Sequence, residues 1–228
     1  MNIAIIPARA GSKRIPNKNL NLFSGKPMIS YPINVAKKSK FVDEVFVSTD
    51  SQKIFDIAQS YGANVPFLRP DTLSDDYTPT APVIMHCLEY LIKEGWHIDN
   101  VCCIYPCTPL LNHSIVDMVY EKMINSKELF AYPVVQYPHP IYRSMKMNHS
   151  SKMQFVFPQN ELKRTQDFEI CYHDAGQFYW GTKQAWQSGG KMHTDGIGVE
   201  IPKWEIIDID DQDDWKKAEI FMKINFKS

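Results

Sequence analysis

The sequence predicts an α/β fold, a mostly parallel twisted sheet with helices on both faces, and three observations predict it. Over the first 135 residues, short apolar runs rich in β-branched residues alternate with segments of helical periodicity. Such alternation implies parallel strands joined by right-handed crossovers. Polar residues of chemical interest recur just after the strand signals, where an open parallel sheet takes its ligands. The length, 228 residues, suits one domain with a sizeable core.

The elements follow in chain order. Ile3-Pro7 reads as a buried strand, Met28 to Ser39 as a helix, Glu44-Thr49 as a strand, and Ser51 to Tyr61 as a helix that Gly62 ends. Val65-Leu68 is strand-like, Pro79 to Glu94 helical, Val101-Tyr105 a strand, Ser114 to Asn125 helical, and Phe130-Val135 another strand. Residues 136–176 break this rhythm with prolines, polar residues and short aromatic runs, and are too long for a plain loop. They read as a β-rich arm inserted into a single domain spanning 1–228, one that covers a ligand or reaches a second subunit. Gln177-Gly181 and Glu205-Ile209 resume the strands. Asp211 to Phe226 reads as a terminal helix, acidic in its first turn and lysine-bearing near its end, as the helix dipole favours.

Composition removes several classes. A formal net charge of −1 gives no general nucleic-acid footprint. No apolar run approaches a membrane span, and Met1-Asn2 leads into a strand without a signal-peptide core, so cytoplasmic residence is expected. Cys87, Cys102, Cys103, Cys107 and Cys171 are odd in number and in no zinc-ligand spacing, which suits reduced thiols in or near the core. The histidines form no metal motif.

The chemistry concentrates at the strand ends. After the first strand comes "PARAGSKRIPNKN", in which Arg9, Lys13, Arg14 and Lys18 surround Gly11. Backbone N–H groups around Gly11, the Ser12 hydroxyl and the charges of Lys13 and Lys18 are the components of a polyphosphate cradle, although neither GxxxxGK[ST] nor GxGxxG is present. A basic turn can equally be a solvated loop. Asp208 and Asp210, at i and i+2 on an expected strand, would point to one face and could share one Mg²⁺. The alternative is that they lead into the terminal helix with Asp211, Asp213 and Asp214.

Five segments in order and spacing, "IIPARAGSKRIPNKN", "VSTD", "LRPDTLSDDYTPT", "YPCTPLL" and "IDID", resemble the cytidylyltransferases that activate acidic sugars as CMP-sugars. The likeness spans essentially the whole chain. Within that family "YPHPIYRS" and "YHDAGQFYWG" look most like the branch that acts on pseudaminic acid, a nine-carbon sugar of bacterial surface glycans. The resemblance implies a Rossmann-like, GT-A-like nucleotidyltransferase fold with a dimerisation arm, CTP and an acidic sugar as substrates, Mg²⁺ as cofactor, and a homodimer. It implies Arg9, Lys18, Asp208 and Asp210 as catalytic residues, the two aspartates holding the metal. It implies Ala8, Gly11, Ser12, Lys13, Asn19, Arg69, Thr78 and Thr80 as nucleotide-binding. One departure bears on the sugar: Tyr105 and Leu111 stand where sialic acid enzymes carry a glutamine and an arginine, so the preferred sugar is expected to differ.

The acceptor carboxylate calls for a bidentate donor, for which Arg164 is the first candidate and Arg143 the second, both also ordinary surface residues. Tyr105, Asp174 and Gln177 complete the expected sugar site, while Tyr179 and Trp180 read rather as packing. The same chemistry on a sialic or legionaminic acid, and a non-catalytic nucleotide-binding protein of this fold, are the alternatives. A paired-carboxylate site beside a basic turn argues against the latter.

Overall fold

A computed structural model describes residues 1–225, so the expected helix end at Phe226 lies outside the described residues. The strands are β1 (Asn2–Pro7), β2 (Leu22–Phe23), β3 (Lys26–Pro27), β4 (Glu44–Ser48), β5 (Asn100–Ile104), β6 (Phe130–Gln136), β7 (Met145–Met147), β8 (Met153–Phe155), β9 (Tyr172–Asp174), β10 (Phe178–Thr182) and β11 (Gly196–Glu200). The helices are α1 (Ser30–Lys38), α2 (Gln52–Ser60), α3 (Thr80–Lys93), α4 (His113–Ser126), α5 (Lys183–Gln187) and α6 (Gln212–Asn225).

The main sheet runs β11-β6-β10-β5-β1-β4, with β9 pairing β6 beside β10. β1 is parallel to β4 and β5, and β11 to β6, whereas β10 is antiparallel to β5 and to β6. The sheet is therefore mixed, where the sequence suggested a mostly parallel one. The cause is the excursion after β6, which returns the chain from the opposite end. β9 descends along β6, Gly176 turns the chain at φ +62°, and β10 crosses to fill the gap next to β5.

Strand alternation divides the interior into two layers. Ala4, Ile6, Val45, Val47, Cys102, Ile104, Phe178 and Trp180 face α1, α2 and α4. Ile3, Ile5, Phe46, Val101, Cys103 and Tyr179 face α3 and α5. Helix spacing supplies the matching stripes, Ile115, Val119 and Met123 on α4 and Ile84, Cys87, Leu88 and Leu91 on α3. The indoles are anchored as well as buried: Trp180 Nε1 donates to Val116 O and Trp186 Nε1 to Val101 O. All five cysteines are free, and burial pushes the thiol of Cys87 up to about 12.

Several expectations change. Val65-Leu68 is not a ladder strand but touches the sheet through two isolated bridges, Phe46–Asn64 and Thr49–Leu68. Glu205-Ile209 is outside the sheet, because Pro202 ends the β11–β6 pairing and a 3-10 turn over Lys203–Glu205 redirects the chain. The sheet strand in this region is instead β11. The arm is narrower and less β-rich than expected: Gln136 belongs to β6, Tyr172–Asp174 to the main sheet, and between them stands one short hairpin, β7–β8, among 3-10 turns.

Candidate active site

One cleft of about 400 Å³ opens at the carboxyl ends of β1, β4 and β5. It takes its walls from the turn after β1, the loop before α3, the turn after β5, Gly176, and the segment before α6. Of the expected residues, Arg9, Ser12, Lys13, Lys18, Asn19, Arg69, Thr78, Thr80, Tyr105, Asp208 and Asp210 line it.

The basic turn is held from below. Ile15 is buried with Phe23, Met28, Ile209, Trp215 and Ala218, so the turn is pinned to α6 and the β2–β3 hairpin. Asn17 takes a positive φ of 54°, which asparagine tolerates, and lets Lys18 N return to Ile15 O. Asp50 Oδ1 accepts from Ala10 N at 2.8 Å, fixing the near end. Ala8 is fully buried and Gly11 exposed, and neither lines the cleft.

The cations already have protein partners. Arg9 Nη1 donates to Asp75 O at 2.8 Å and to Asp76 Oδ1 at 2.6 Å, and Lys13 pairs with the same Asp76 carboxylate. Arg14 pairs with Asp210. Lys18 Nζ donates to Ile209 O at 2.7 Å, between the two cleft aspartates. The Lys13 and Arg9 contacts hold the Asp76 carboxyl below its ordinary value. Asp208 moves the other way: crowding in the cleft wall, with the neighbouring Asp210 charge, raises it, opposed by Lys18 and Arg14.

Arg69 is 4% exposed, and among the described residues no carboxylate pairs with it. Its Nη1 donates to Ser48 O and its Nε to Ser74 Oγ, and burial lowers its pKa. Asn19 donates through Nδ2 to Arg9 O, which leaves Oδ1 buried without a donor. Thr80 Oγ1 and the Tyr105 hydroxyl are 3.1 Å apart, while the Thr78 hydroxyl donates to Asp75.

The expected sugar residues other than Tyr105 stand elsewhere. Arg164 pairs with Asp167 and Arg143 donates to Lys163 O, both within the arm and away from the cleft. Leu111 is core. Gln177 is 2% exposed and gives its amide to Glu205 O, a brace on the aspartate segment. Asp174 has its carboxylate occupied by Gly176 N, the Tyr179 hydroxyl and His193 Nε2. Burial in turn raises the Tyr179 phenol far above its usual value, and Tyr179 and Trp180 are core, as read. Sequence reasoning gave no role to Asp76, Arg14, Cys107 or His193. The acidic pair in "LSDDYTPT", directly before a helix and close after Arg69, was the available signal for the first.

A mixed sheet carrying a cation-rich turn after its first strand defines a class of α/β proteins that takes an anionic ligand at the strand ends. Residues 3–187 match the family described as cytidylyltransferase, and the chain belongs to that family. It is 40% identical to a pseudaminic acid cytidylyltransferase of Campylobacter jejuni, over 100% of this chain and 98% of the relative. It is 30% identical to a CMP-N,N'-diacetyllegionaminic acid synthase of Legionella pneumophila, over 98% and 97%. A solved CMP:2-keto-3-deoxy-manno-octonic acid synthetase shares the fold with a TM-score of 0.71 at 18% identity, covering 99% of both chains.

Proposed function

We propose that the chain is a CMP-sugar synthetase that joins CTP to pseudaminic acid, giving CMP-pseudaminic acid and pyrophosphate for bacterial surface glycans. The observation that carries this reading is the meeting of Lys18 with the backbone between Asp208 and Asp210, which brings the cation-rich turn and the carboxylate pair to one cleft. Full-length likeness to relatives named for that reaction supports the sugar. The legionaminic relative supports a second acidic sugar as the other reading.

The anomeric hydroxyl of the sugar attacks the α-phosphorus of CTP; the bond to the β-phosphate oxygen breaks and pyrophosphate leaves. Arg9, Lys13 and Lys18 neutralise the departing charge, so catalysis is chiefly positioning and electrostatics. Asp208 and Asp210 would hold Mg²⁺, and the donor set fits a small hard cation: two neighbouring carboxylates, of which Asp208 is raised by burial first and by the Asp210 charge second. Among the described residues no group of three His, Cys, Asp or Glu gathers, so these two carboxylates would be the chain's own share of the site. When bound, such an ion screens the phosphates and lowers the pKa of the attacking hydroxyl. Arg69, buried without a carboxylate, and the unpaired Asn19 Oδ1 offer the base one cation and one acceptor, the latter suited to the exocyclic amine of cytosine.

The arm exposes Met145, Met147 and Leu162, the last 97% accessible, and a second copy of the chain is the proposed cover. Among the described residues no helix is long and apolar enough to cross a membrane, in keeping with work on CTP in the cytoplasm.

The test is pyrophosphate release from CTP and Mg²⁺ with a panel of nine-carbon acidic sugars. Pseudaminic acid is expected to turn over fastest, and CTP to exceed UTP by at least roughly tenfold, since unmatched buried polar groups cost on that scale. Equal rates with CTP and UTP would remove the assignment.

A further inference from the structure

Asp174 gathers donors from three parts of the chain. Oδ1 accepts from Gly176 N at 2.8 Å, and Oδ2 takes both the Tyr179 hydroxyl and, at 2.8 Å, His193 Nε2. His193 lies in the loop between α5 and β11, where the Tyr132 hydroxyl donates to its carbonyl at 3.2 Å. Its imidazole sits 5.1 Å from the Tyr132 ring and 6.0 Å from the Tyr179 ring. Two of the Asp174 partners lead straight to the cleft. Gly176 lines it, and Tyr179 packs edge-on at 5.6 Å against Tyr105, which lines it too.

A carboxylate whose oxygens are filled in this way is a bracket and has little capacity left for a sugar hydroxyl. Its orientation depends on all three donors. Tyr179 is fixed by the sheet and Gly176 sits in the turn between β9 and β10, while His193 comes from the loop before β11, with its side chain 56% exposed.

We propose that His193 is a positioning residue for the acceptor sugar: through Asp174 it holds Gly176 and the Tyr179–Tyr105 pair, the wall of the cleft that continues into Pro106 and Cys107. This rests on the CMP-sugar synthetase reading above. Of the expected nucleotide residues, Thr80 meets this wall, its hydroxyl 3.1 Å from that of Tyr105, while Arg9, Lys13, Asn19 and Arg69 bond to Asp75, Asp76, Ser48, Ser74 and the basic turn. Loss of the imidazole therefore frees the Gly176 and Tyr179–Tyr105 wall, while Arg9, Lys13, Asn19 and Arg69 keep all their partners.

The experiment compares His193→Ala and His193→Gln, the latter keeping a side-chain N–H donor. His193→Ala is expected to raise KM for the acidic sugar roughly tenfold, the scale of one hydrogen bond to a charged group, with kcat and the KM for CTP near wild type. His193→Gln restores most of the loss. A rise in both KM values together, no rescue by glutamine, or wild-type kinetics in the alanine variant overturns the proposal. A readout independent of turnover is the amide resonance of Gly176, which moves in His193→Ala and returns in His193→Gln. If the wild-type protein turns over no acidic sugar, the synthetase reading fails, and an unmoved Gly176 resonance separately sinks the coupling.

Discussion

Asp208 carries opposite expectations for activity and stability. Asp208→Asn or Asp210→Asn should cut turnover by about 10²-fold or more, the scale of losing one positioned electrostatic contact. Asp208 is raised in the folded chain, so folding tightens its proton, and the favourable contribution is complete at acid pH and lost as pH rises through the raised value. Asp208→Asn should accordingly melt at a higher temperature than wild type at pH 7, and that advantage should vanish towards pH ~3, below the ordinary aspartate value. An unchanged melting temperature at pH 7 contradicts the crowding. Lys18→Ala should also lose about 10²-fold in turnover, since its Nζ lies between the aspartates; wild-type kinetics would return the turn to a solvated loop. The cleft placement of these residues was legible in the sequence because their charges cluster in two segments, one of them directly after β1. The protein partners of Asp174 and Gln177 were not legible, because a carboxylate or amide in a sequence does not reveal which donors or acceptors the fold brings to it.

Among the elements, the loop between Arg69 and α3 brings Asp76 against Arg9 and Lys13. If these cations take the phosphates, as proposed, CTP has to displace Asp76. Asp76→Asn is expected to tighten CTP binding about two- to fivefold by calorimetry without metal, the range of a partly exposed ion pair. Weaker binding would mean that Asp76 helps the nucleotide instead. The long strands and helices were readable from period alone, since both sheet faces are covered and the apolar runs are continuous. β11 was hidden by its glycines. A Cβ on Gly196 would meet Phe130 at 2.7 Å and one on Gly198 would meet Val134 at 2.9 Å, so close packing against β6 removes the side chains that mark a strand. Glu205-Ile209 shows the converse. Its alternation places Ile209 in the core and the flanking aspartates in the cleft, but no neighbouring strand pairs with it.

For the whole molecule, the exposed apolar arm leads to the expectation of a homodimer. Light scattering at micromolar concentration should give twice the chain mass, and Met147→Glu with Leu162→Glu should halve it; a fully active monomer would contradict the arm's proposed role. The central antiparallel strand has a consequence for how the chain is made. β5 and β6 do not pair with each other, and β10 alone joins the half containing β4, β1 and β5 to the half containing β6 and β11. A ribosome-bound chain that has not yet released Thr182 therefore holds β4, β1 and β5 with a bare edge on β5, and β6 with β9 unjoined to them, while β11 is still to come. The keystone arrives late, and the sheet closes by insertion between strands already made, a high-contact-order step that is slow and leaves the edges open to mispairing. Nascent chains stalled before this point should remain protease-sensitive, and those stalled well beyond it should become resistant.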